Sequence, residues 1–173
     1  MMMNKKYVFD LDNTLIYTDL LNNESYNYAL KYMGLPPIDN YKRVTREIVF
    51  EKYPNISNVQ KNRIADLKKE YFINNIQMTK LNDLLIGILK SLNKNDCILW
   101  TSADETRVRS ILKYYNITRL FKYIVFSSKI NLKNDIEKIC ELHDCKLEQL
   151  IIYEDNLRLI RELKQLQLNV IKV

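Results

Sequence analysis

The chain has few glycines, prolines and histidines: two, three and one, respectively, among its 173 residues. The single histidine, His143, has no second histidine and no zinc-spaced cysteine pair near it, which argues against a zinc site and a Ser-His-Asp triad. We expect its ring to face solvent near a helix end. The shortage of glycine and proline accompanies many lysines, asparagines, isoleucines and tyrosines, a composition typical of an AT-rich genome.

Disulfides and membrane spans are also not expected. The three cysteines, Cys97, Cys140 and Cys145, are odd in number and match no zinc spacing, which indicates reduced thiols. No apolar run approaches the roughly 20 residues that a membrane helix needs. The N-terminal stretch from Met1 to Tyr7 is polar as a whole and leads straight into a predicted strand, so we expect no signal peptide. These features predict a cytoplasmic protein with no membrane partner.

The formal net charge is +6. Positive charge can favour phosphorylated or nucleic-acid ligands. No tight cluster of lysines and arginines stands out, however, and codon bias explains the excess more simply. A nucleic-acid partner stays open but is not favoured.

Five short apolar runs predict β-strands, and the last four show little alternation, as expected of strands covered on both faces. The runs are Lys5–Phe9, Asp96–Trp100, Tyr123–Phe126, Gln149–Tyr153 and Asn169–Val173. Helical patterns between the later strands imply right-handed βαβ units. We therefore predict a three-layer, Rossmann-like α/β domain with a mostly parallel five-stranded sheet and the first strand at its centre.

The first and second strands are separated by a much longer stretch, in which helical patterns follow one another and no strand-like run stands out. Prolines and a glycine punctuate these helices. We predict that residues 18–77 form a small all-helical cap, with a helix over Thr79–Asn93 returning to the sheet. Residues 1–17 and 78–173 would then form the α/β core domain.

Polar groups follow the predicted strands at one edge of the sheet, where ligands of parallel α/β proteins bind. Asp10 and Asp12 end the first strand and point to the same side if the strand continues. Burying two carboxylates together is costly unless a metal ion or a proton offsets the charge. The next three strands present hydroxyl, amino and carboxylate groups: Thr101 and Ser102, Lys129 and Lys133, and Glu154 and Asp155.

This set of motifs resembles the haloacid dehalogenase superfamily of phosphohydrolases and phosphotransferases over nearly the whole chain. The family's first motif, Asp-x-Asp-x-Thr after an apolar strand, is matched by Asp10–Thr14. Its second, an apolar strand ending in Thr or Ser, is matched by Ile98–Ser102. Its fourth, an apolar strand ending in paired acids, is matched by Ile151–Asn156, where Glu154 stands in place of the commoner Asp or Gly.

The third motif of the family is a lysine, for which the sequence offers two candidates. Lys133 opens a predicted helix at about the right distance before Asp155, and Lys129 directly follows a strand. We prefer Lys133 and keep Lys129 as the alternative.

The resemblance implies a Mg²⁺-dependent phosphatase. Asp10 would attack phosphorus and form an aspartyl-phosphate, while Asp12 would act as general acid and then as general base. The metal ligands would be Asp10, Asp155 and the backbone carbonyl of Asp12, with Glu154 as a further candidate.

Other residues would bind the phosphoryl group. The resemblance assigns this role to the Thr101 hydroxyl and to the backbone amides around Leu11 and Ser102. It implies that the lysine offsets the negative charge that develops in the transition state. Residues Ser102 to Glu105 also read as a capping box, which would place a helix N-terminus near the phosphate.

We expect the substrate to be a small, soluble phosphate ester, because a helical cap closing over such a site excludes larger molecules. Three alternatives stay open. They are a phosphatase of nucleotides or nucleic-acid ends, a phosphomutase, and a catalytically degenerate binding scaffold with the same fold.

Overall fold

A five-stranded parallel sheet is the centre of the structure, a computed structural model that describes residues 4–173. In chain order the strands are β1 (Lys6–Phe9), β2 (Ile16–Tyr17), β3 (Lys80–Leu81), β4 (Cys97–Thr101), β5 (Tyr123–Phe126), β6 (Leu150–Glu154) and β7 (Asn169–Lys172). The α-helices are α1 (Asp19–Tyr32), α2 (Arg46–Lys52), α3 (Asn58–Asn74), α4 (Asp83–Ser91), α5 (Glu105–Tyr114), α6 (Leu132–His143) and α7 (Leu157–Gln165).

The large sheet has the strand order β5-β4-β1-β6-β7, with every pair parallel. The central strand β1 pairs on both sides, so that Phe9 lies opposite Leu99 of β4 and Tyr153 of β6. The predicted three-layer α/β fold and the central position of the first strand are confirmed. All five strands of this sheet were predicted to within one residue at each end.

Helices α6 and α7 cover one face of the sheet. Ile136 and Ile139 of α6, and Leu163 of α7, share a buried cluster with Val8 of β1 and Ile152 of β6. Apolar residues at three- and four-residue spacing put these side chains on one stripe of each helix. Burying such a stripe fixes each helix against the strands, and so fixes the loops that connect them.

The chain divides into two compact units. The sheet unit comprises Met1–Ile16, described from residue 4 onward, together with Leu81–Val173. The helical unit is Tyr17–Lys80 and contains α1, α2 and α3. The sequence had placed the insertion at residues 18–77, and the role of this unit as a cap stays a prediction.

Asparagines of α1 organise the helical unit. The Asn22 side chain donates to the Val44 carbonyl at 2.8 Å, and the Asn23 side chain accepts from the Val44 amide at 2.7 Å. Asn27 pairs in the same way with the Ile38 amide at 2.8 Å. The backbone groups of the loop between α1 and α2 thus have hydrogen-bond partners although the loop has no regular secondary structure. This explains why α2 begins only at Arg46: the residues before it are held as a loop.

Two short strands were missed in the sequence. β2 and β3 form a separate two-stranded sheet where the chain leaves and re-enters the sheet unit. Consequently α4 begins at Asp83 rather than at Thr79, with Asn82 as its N-cap accepting from the Leu85 amide at 3.3 Å. Strands of two residues carry too little periodicity to be recognised. No helix within residues 4–173 is long and apolar enough to cross a membrane.

The prediction that His143 faces solvent is wrong. Its ring is 5% exposed at the C-terminal end of α6 and packs edge-on against Tyr123 at 5.8 Å between ring centroids. Neither ring nitrogen has a hydrogen-bond partner within residues 4–173. Burial first, and then the nearby Lys6 and Lys122, lower the pKa of His143 to about 4. The folded protein therefore holds this ring in its neutral form.

We expect His143 to make the protein less stable in mild acid. The unfolded chain takes up a proton near pH 6.5 whereas the folded chain does so only near pH 4, so stability is lost as the pH falls through this window. The loss at pH 5 is at most about 2 kcal/mol. Urea unfolding at pH 7.5 and pH 5 checks this: between the two pH values the free energy of unfolding should fall less for His143→Phe than for the wild type. An equal fall in both proteins would contradict the prediction.

Candidate active site

Asp10 is the first residue beyond β1 and is buried, with 7% of its surface exposed. Its amide still donates to the Tyr153 carbonyl at 3.0 Å, so the backbone is held in line with β6. Burial is the main reason that the pKa of Asp10 rises to about 6; Lys129 opposes the rise, while Glu154 and Asp12 add to it. A cation placed beside this carboxylate is therefore strongly favoured.

Lys129 supplies one such cation. Its ammonium lies 2.6 Å from Asp10 Oδ1 and 2.8 Å from Glu154 Oε2, and only 4% of the residue is exposed. Burial by itself would lower the pKa of Lys129, but the two carboxylates raise it. The lysine is thus held as a cation between two acids.

The backbone and neighbours of Lys129 direct its side chain into the site. Lys129 adopts a left-handed conformation with φ of 55°, which turns the chain back immediately after β5. Its amide donates to Ser127 Oγ at 3.3 Å, and that hydroxyl donates to Asp135 at 2.7 Å. The same hydroxyl accepts from Trp100 Nε1 at 2.9 Å, and the Lys129 ammonium lies 4.7 Å from the centre of the Trp100 ring.

The two candidate lysines differ in their surroundings. Lys133 lies in the first turn of α6 on the exposed side of the helix, whereas Asp135 and Ile136 of the same helix are buried. Lys129, the alternative, is the lysine that contacts Asp10. Sequence spacing did not separate them, because the left-handed turn at Lys129 has no sequence signal: lysine is rare in that conformation.

Glu154 and Asp155 end β6 beside Asp10. Carboxylate oxygens of Asp10, Glu154 and Asp155 all lie within 4.8 Å of one another. Glu154 is 1% exposed, and its Oε1 accepts from the amides of Asp155 and Asn156, both at 3.1 Å. Because its Oε2 accepts from Lys129, both oxygens of Glu154 are already engaged by groups of the protein.

The donor set fits a hard divalent cation. Mg²⁺ prefers carboxylate and carbonyl oxygens, and the three clustered side chains offer only oxygen. Four carboxylates at this sheet edge (those of Asp10, Asp12, Glu154 and Asp155) are accompanied by two cations, Lys129 and Arg107. An edge so rich in carboxylates favours a divalent cation.

Asp12 lies in a tight turn and not on the strand. The Leu11 carbonyl accepts from the Leu15 amide at 3.0 Å, and Asn13 adopts a φ of 59°. The turn, and not the alternation of a strand, therefore places Asp12 near Asp10. Sequence reasoning missed the partner of Asp12: both oxygens of this carboxylate accept from the guanidinium of Arg107 on α5.

The loop after β4 brings the predicted phosphate-binding groups to the same edge. Thr101 is buried, and its hydroxyl accepts from the Ala103 amide at 3.2 Å. Ser102 is exposed. The predicted capping box is wrong: α5 is capped by Asp104, whose side chain accepts from the Arg107 amide at 3.1 Å. An aspartate caps as well as a serine does, so the sequence allowed either register.

The candidate residues on β1, β4, β5 and β6 and in the loops after them thus belong to one edge of the sheet. Asp10, Thr101, Lys129 and Glu154 follow or end β1, β4, β5 and β6, which are adjacent in the sheet. Parallel strands carry their carboxyl ends to the same edge, so residues up to 145 positions apart in sequence meet there. The arrangement combines a buried carboxylate, a cluster of carboxylate oxygens and two fixed cations, a combination suited to chemistry on an anionic substrate.

Comparison with known proteins agrees with this geometry. The family model for haloacid dehalogenase-like hydrolases matches residues 7–173. No curated protein matches the chain significantly.

Solved structures resemble the chain over nearly its whole length. One from Clostridium difficile, with a provisional assignment as a phosphatase, is 25% identical with a TM-score of 0.75, covering 98% of this chain and 85% of its own. A predicted phosphoglycolate phosphatase from Haemophilus somnus is 17% identical with a TM-score of 0.83, covering 99% and 86%. CbbY from Rhodobacter sphaeroides, in complex with xylulose-(1,5)bisphosphate, is 16% identical with a TM-score of 0.79, covering 97% and 85%. Since the family model spans almost the entire sequence, this chain belongs to the haloacid dehalogenase-like hydrolases and is an enzyme of that hydrolase and phosphatase family.

Proposed function

We propose that the enzyme hydrolyses a small, soluble phosphomonoester through an aspartyl-phosphate on Asp10, with Mg²⁺ as cofactor. The observation that carries this proposal is the buried Asp10 carboxylate, held beside Lys129 and within 4.8 Å of Glu154 and Asp155. A phosphomonoester dianion repels an anionic nucleophile, so cations must neutralise both partners for attack to occur. This edge of the sheet offers one fixed ammonium and a place for a divalent ion.

The metal would be held by the side chains of Asp10 and Asp155 and by the backbone carbonyl of Asp12. When bound, Mg²⁺ screens the charge between nucleophile and phosphate and orients the phosphate. Glu154 was a further ligand candidate, but its two oxygens already bind Lys129 and two backbone amides. We therefore assign Glu154 the role of holding Lys129 in place.

Residues of the chain would carry out the chemical steps and bind the phosphoryl group. One Asp10 oxygen attacks phosphorus while the bond to the leaving oxygen breaks, and Asp12 gives that oxygen a proton. Water then attacks phosphorus, the bond from phosphorus to Asp10 breaks, and Asp12 takes a proton from the attacking water. Lys129, the Thr101 hydroxyl and the amides of Leu11 and Ser102 would bind the phosphoryl oxygens as charge develops on them.

The substrate class rests on the helical unit and on the similar structures. We propose that Tyr17–Lys80 acts as a cap that selects the substrate and excludes water. Two of the similar structures involve small phosphate esters. One is a predicted phosphoglycolate phosphatase, and the other is a complex with xylulose-(1,5)bisphosphate. A panel of phosphorylated metabolites that includes nucleotides and a sugar bisphosphate tests this class against a nucleotide phosphatase and a phosphomutase.

Asp10→Asn should abolish hydrolysis, because an amide cannot form the phosphoenzyme. We expect a loss of about a thousandfold or more with 4-nitrophenyl phosphate and Mg²⁺. Acid-quenched protein treated with labelled substrate should carry phosphate in the wild type and none in Asp10→Asn. The control is Asp144→Asn, which changes an exposed aspartate at the end of α6. Full activity of Asp10→Asn would refute the proposed mechanism.

The two lysines provide a matched comparison. Lys129→Met should lower kcat by about a hundredfold or more, because it removes a fixed cation from the phosphoryl site. Lys133→Met should stay within about twofold of the wild type, as expected of an exposed side chain. Steady-state kinetics of both variants, with folding checked by circular dichroism, measures the difference. The opposite ranking would return Lys133 to the catalytic role.

Mg²⁺ binding should weaken in acid, because the ion and a proton compete for Asp10, whose pKa is raised to about 6 without the metal. Below this pH the affinity should fall by about tenfold per unit. Trp100, the only tryptophan, lies next to Lys129 and reports on the site by its fluorescence without any turnover. Asp155→Asn should lower the affinity for Mg²⁺ at every pH, whereas Asp144→Asn should leave the affinity unchanged. Affinity that is unchanged between pH 7.5 and pH 5 would contradict the assignment of Asp10 as a ligand.

A further inference from the structure

Arg107 is a buried cation of this site to which no motif of the sequence drew attention. It is 8% exposed on α5, and its two terminal nitrogens contact the two oxygens of Asp12, one at 3.1 Å and the other closer still. A two-pronged contact of this kind fixes the plane of the carboxylate as well as its position. A lysine in the same place would fix only the position.

The helix that carries Arg107 is itself rigidly placed. The Arg107 amide is the donor to the Asp104 cap, so the residue lies in the first turn of α5. Val108, Ile111 and Leu112 of the same helix are fully buried and anchor it in the core of the sheet unit. The backbone of Arg107 and the helix that carries it are therefore both fixed, and its guanidinium can act as a fixed support for the Asp12 carboxylate that it contacts.

Asp12 needs such a support. It lies in a turn and is partly exposed, whereas Asp10 is held by the backbone of β6 and by Lys129. An aspartate in a turn can take several side-chain rotamers, and only those that face the leaving oxygen transfer a proton efficiently.

We propose that Arg107 is a positioning residue that orients Asp12 toward the leaving group of the substrate. This inference rests on the proposed function and deepens it. In the first step the bond from Asp10 to phosphorus forms, the bond from phosphorus to the leaving oxygen breaks, and the proton of the Asp12 carboxyl passes to that oxygen. One Asp12 oxygen donates this proton while the other still accepts from Arg107. In the second step the bond from water to phosphorus forms, the bond from phosphorus to Asp10 breaks and restores the Asp10 carboxylate, and the Asp12 carboxylate takes a proton from the attacking water.

This role makes a prediction that a purely structural ion pair does not. A nitrophenolate leaves phosphorus without a proton, whereas an alkoxide needs one. Loss of the support should therefore harm the hydrolysis of alkyl phosphates much more than that of 4-nitrophenyl phosphate. An ion pair that only stabilises the fold would change both substrates by the same factor.

The test compares Arg107→Met and Arg107→Lys with the wild type on an alkyl phosphate and on 4-nitrophenyl phosphate. For Arg107→Met we expect kcat/KM, which reports on the first chemical step, to fall on the alkyl ester by about tenfold or more beyond its fall on the aryl ester. Arg107→Lys should recover part of this difference. Arg109→Met is the matched control, because Arg109 lies on the same helix but is exposed and pairs with Glu105.

A double-mutant comparison shows whether the effect passes through Asp12. In an Asp12→Asn background, adding Arg107→Met should leave the ratio of the two substrate rates unchanged. A further change of that ratio would overturn the inference, and so would equal losses of kcat/KM on both substrates. If Arg107→Met does not fold, Arg107→Lys carries the test: a loss of kcat/KM that is larger on the alkyl ester supports the inference, and equal losses on both esters overturn it.

The same assays separate this inference from the proposed function. Hydrolysis that requires Asp10 establishes the phosphatase mechanism whatever Arg107 does. Equal losses in Arg107→Met then refute only the positioning role. Absence of hydrolysis by the wild type, or activity that survives Asp10→Asn, would refute both.

Discussion

The buried ion pair between Lys129 and the carboxylates of Asp10 and Glu154 is the interaction on which the candidate site depends. An isolated carboxylate in this position would be driven to its neutral form, and the raised pKa of Asp10 is a sign of that tendency. The ammonium balances part of the charge of the carboxylates around it. The chain thus keeps a negatively charged edge in its interior, which is unfavourable for folding alone but suits a divalent cation and a phosphate.

The position of Lys129 follows from a backbone conformation that lysine rarely adopts. Within residues 4–173, six non-glycine residues have positive φ: Asn13, Asn40, Asn116, Lys129, Asp144 and Gln167. Asparagine and aspartate tolerate this conformation better than most residues, so a chain with two glycines uses them in its turns. Lys129 is the buried one of the six, and the contacts of Ser127, Asp135 and Trp100 compensate for the local strain there.

Sequence reasoning succeeded where a single element carries the information. The strands of the large sheet are short apolar runs between helical patterns, so their bounds and the central place of β1 were predicted closely. It failed where a side chain's surroundings come from distant parts of the chain. His143 looked like a surface residue at a helix end, but Tyr123 covers it. The cap of α5 fell on Asp104 instead of Ser102, because both residues can cap and only packing decides the register.

The sequence alone determined that Asp10, Asp12, Thr101, Glu154 and Asp155 lie at one edge of a parallel sheet, because strand direction and the Asp-x-Asp-x-Thr motif are local features. It left open which lysine joins them, and it gave no indication of Arg107. Only the tertiary structure decided these two points. The direction of the Lys129 side chain depends on a left-handed turn, and the contact of Arg107 with Asp12 depends on how α5 packs. Both are set by interactions between residues far apart in sequence, which periodicity and spacing do not encode.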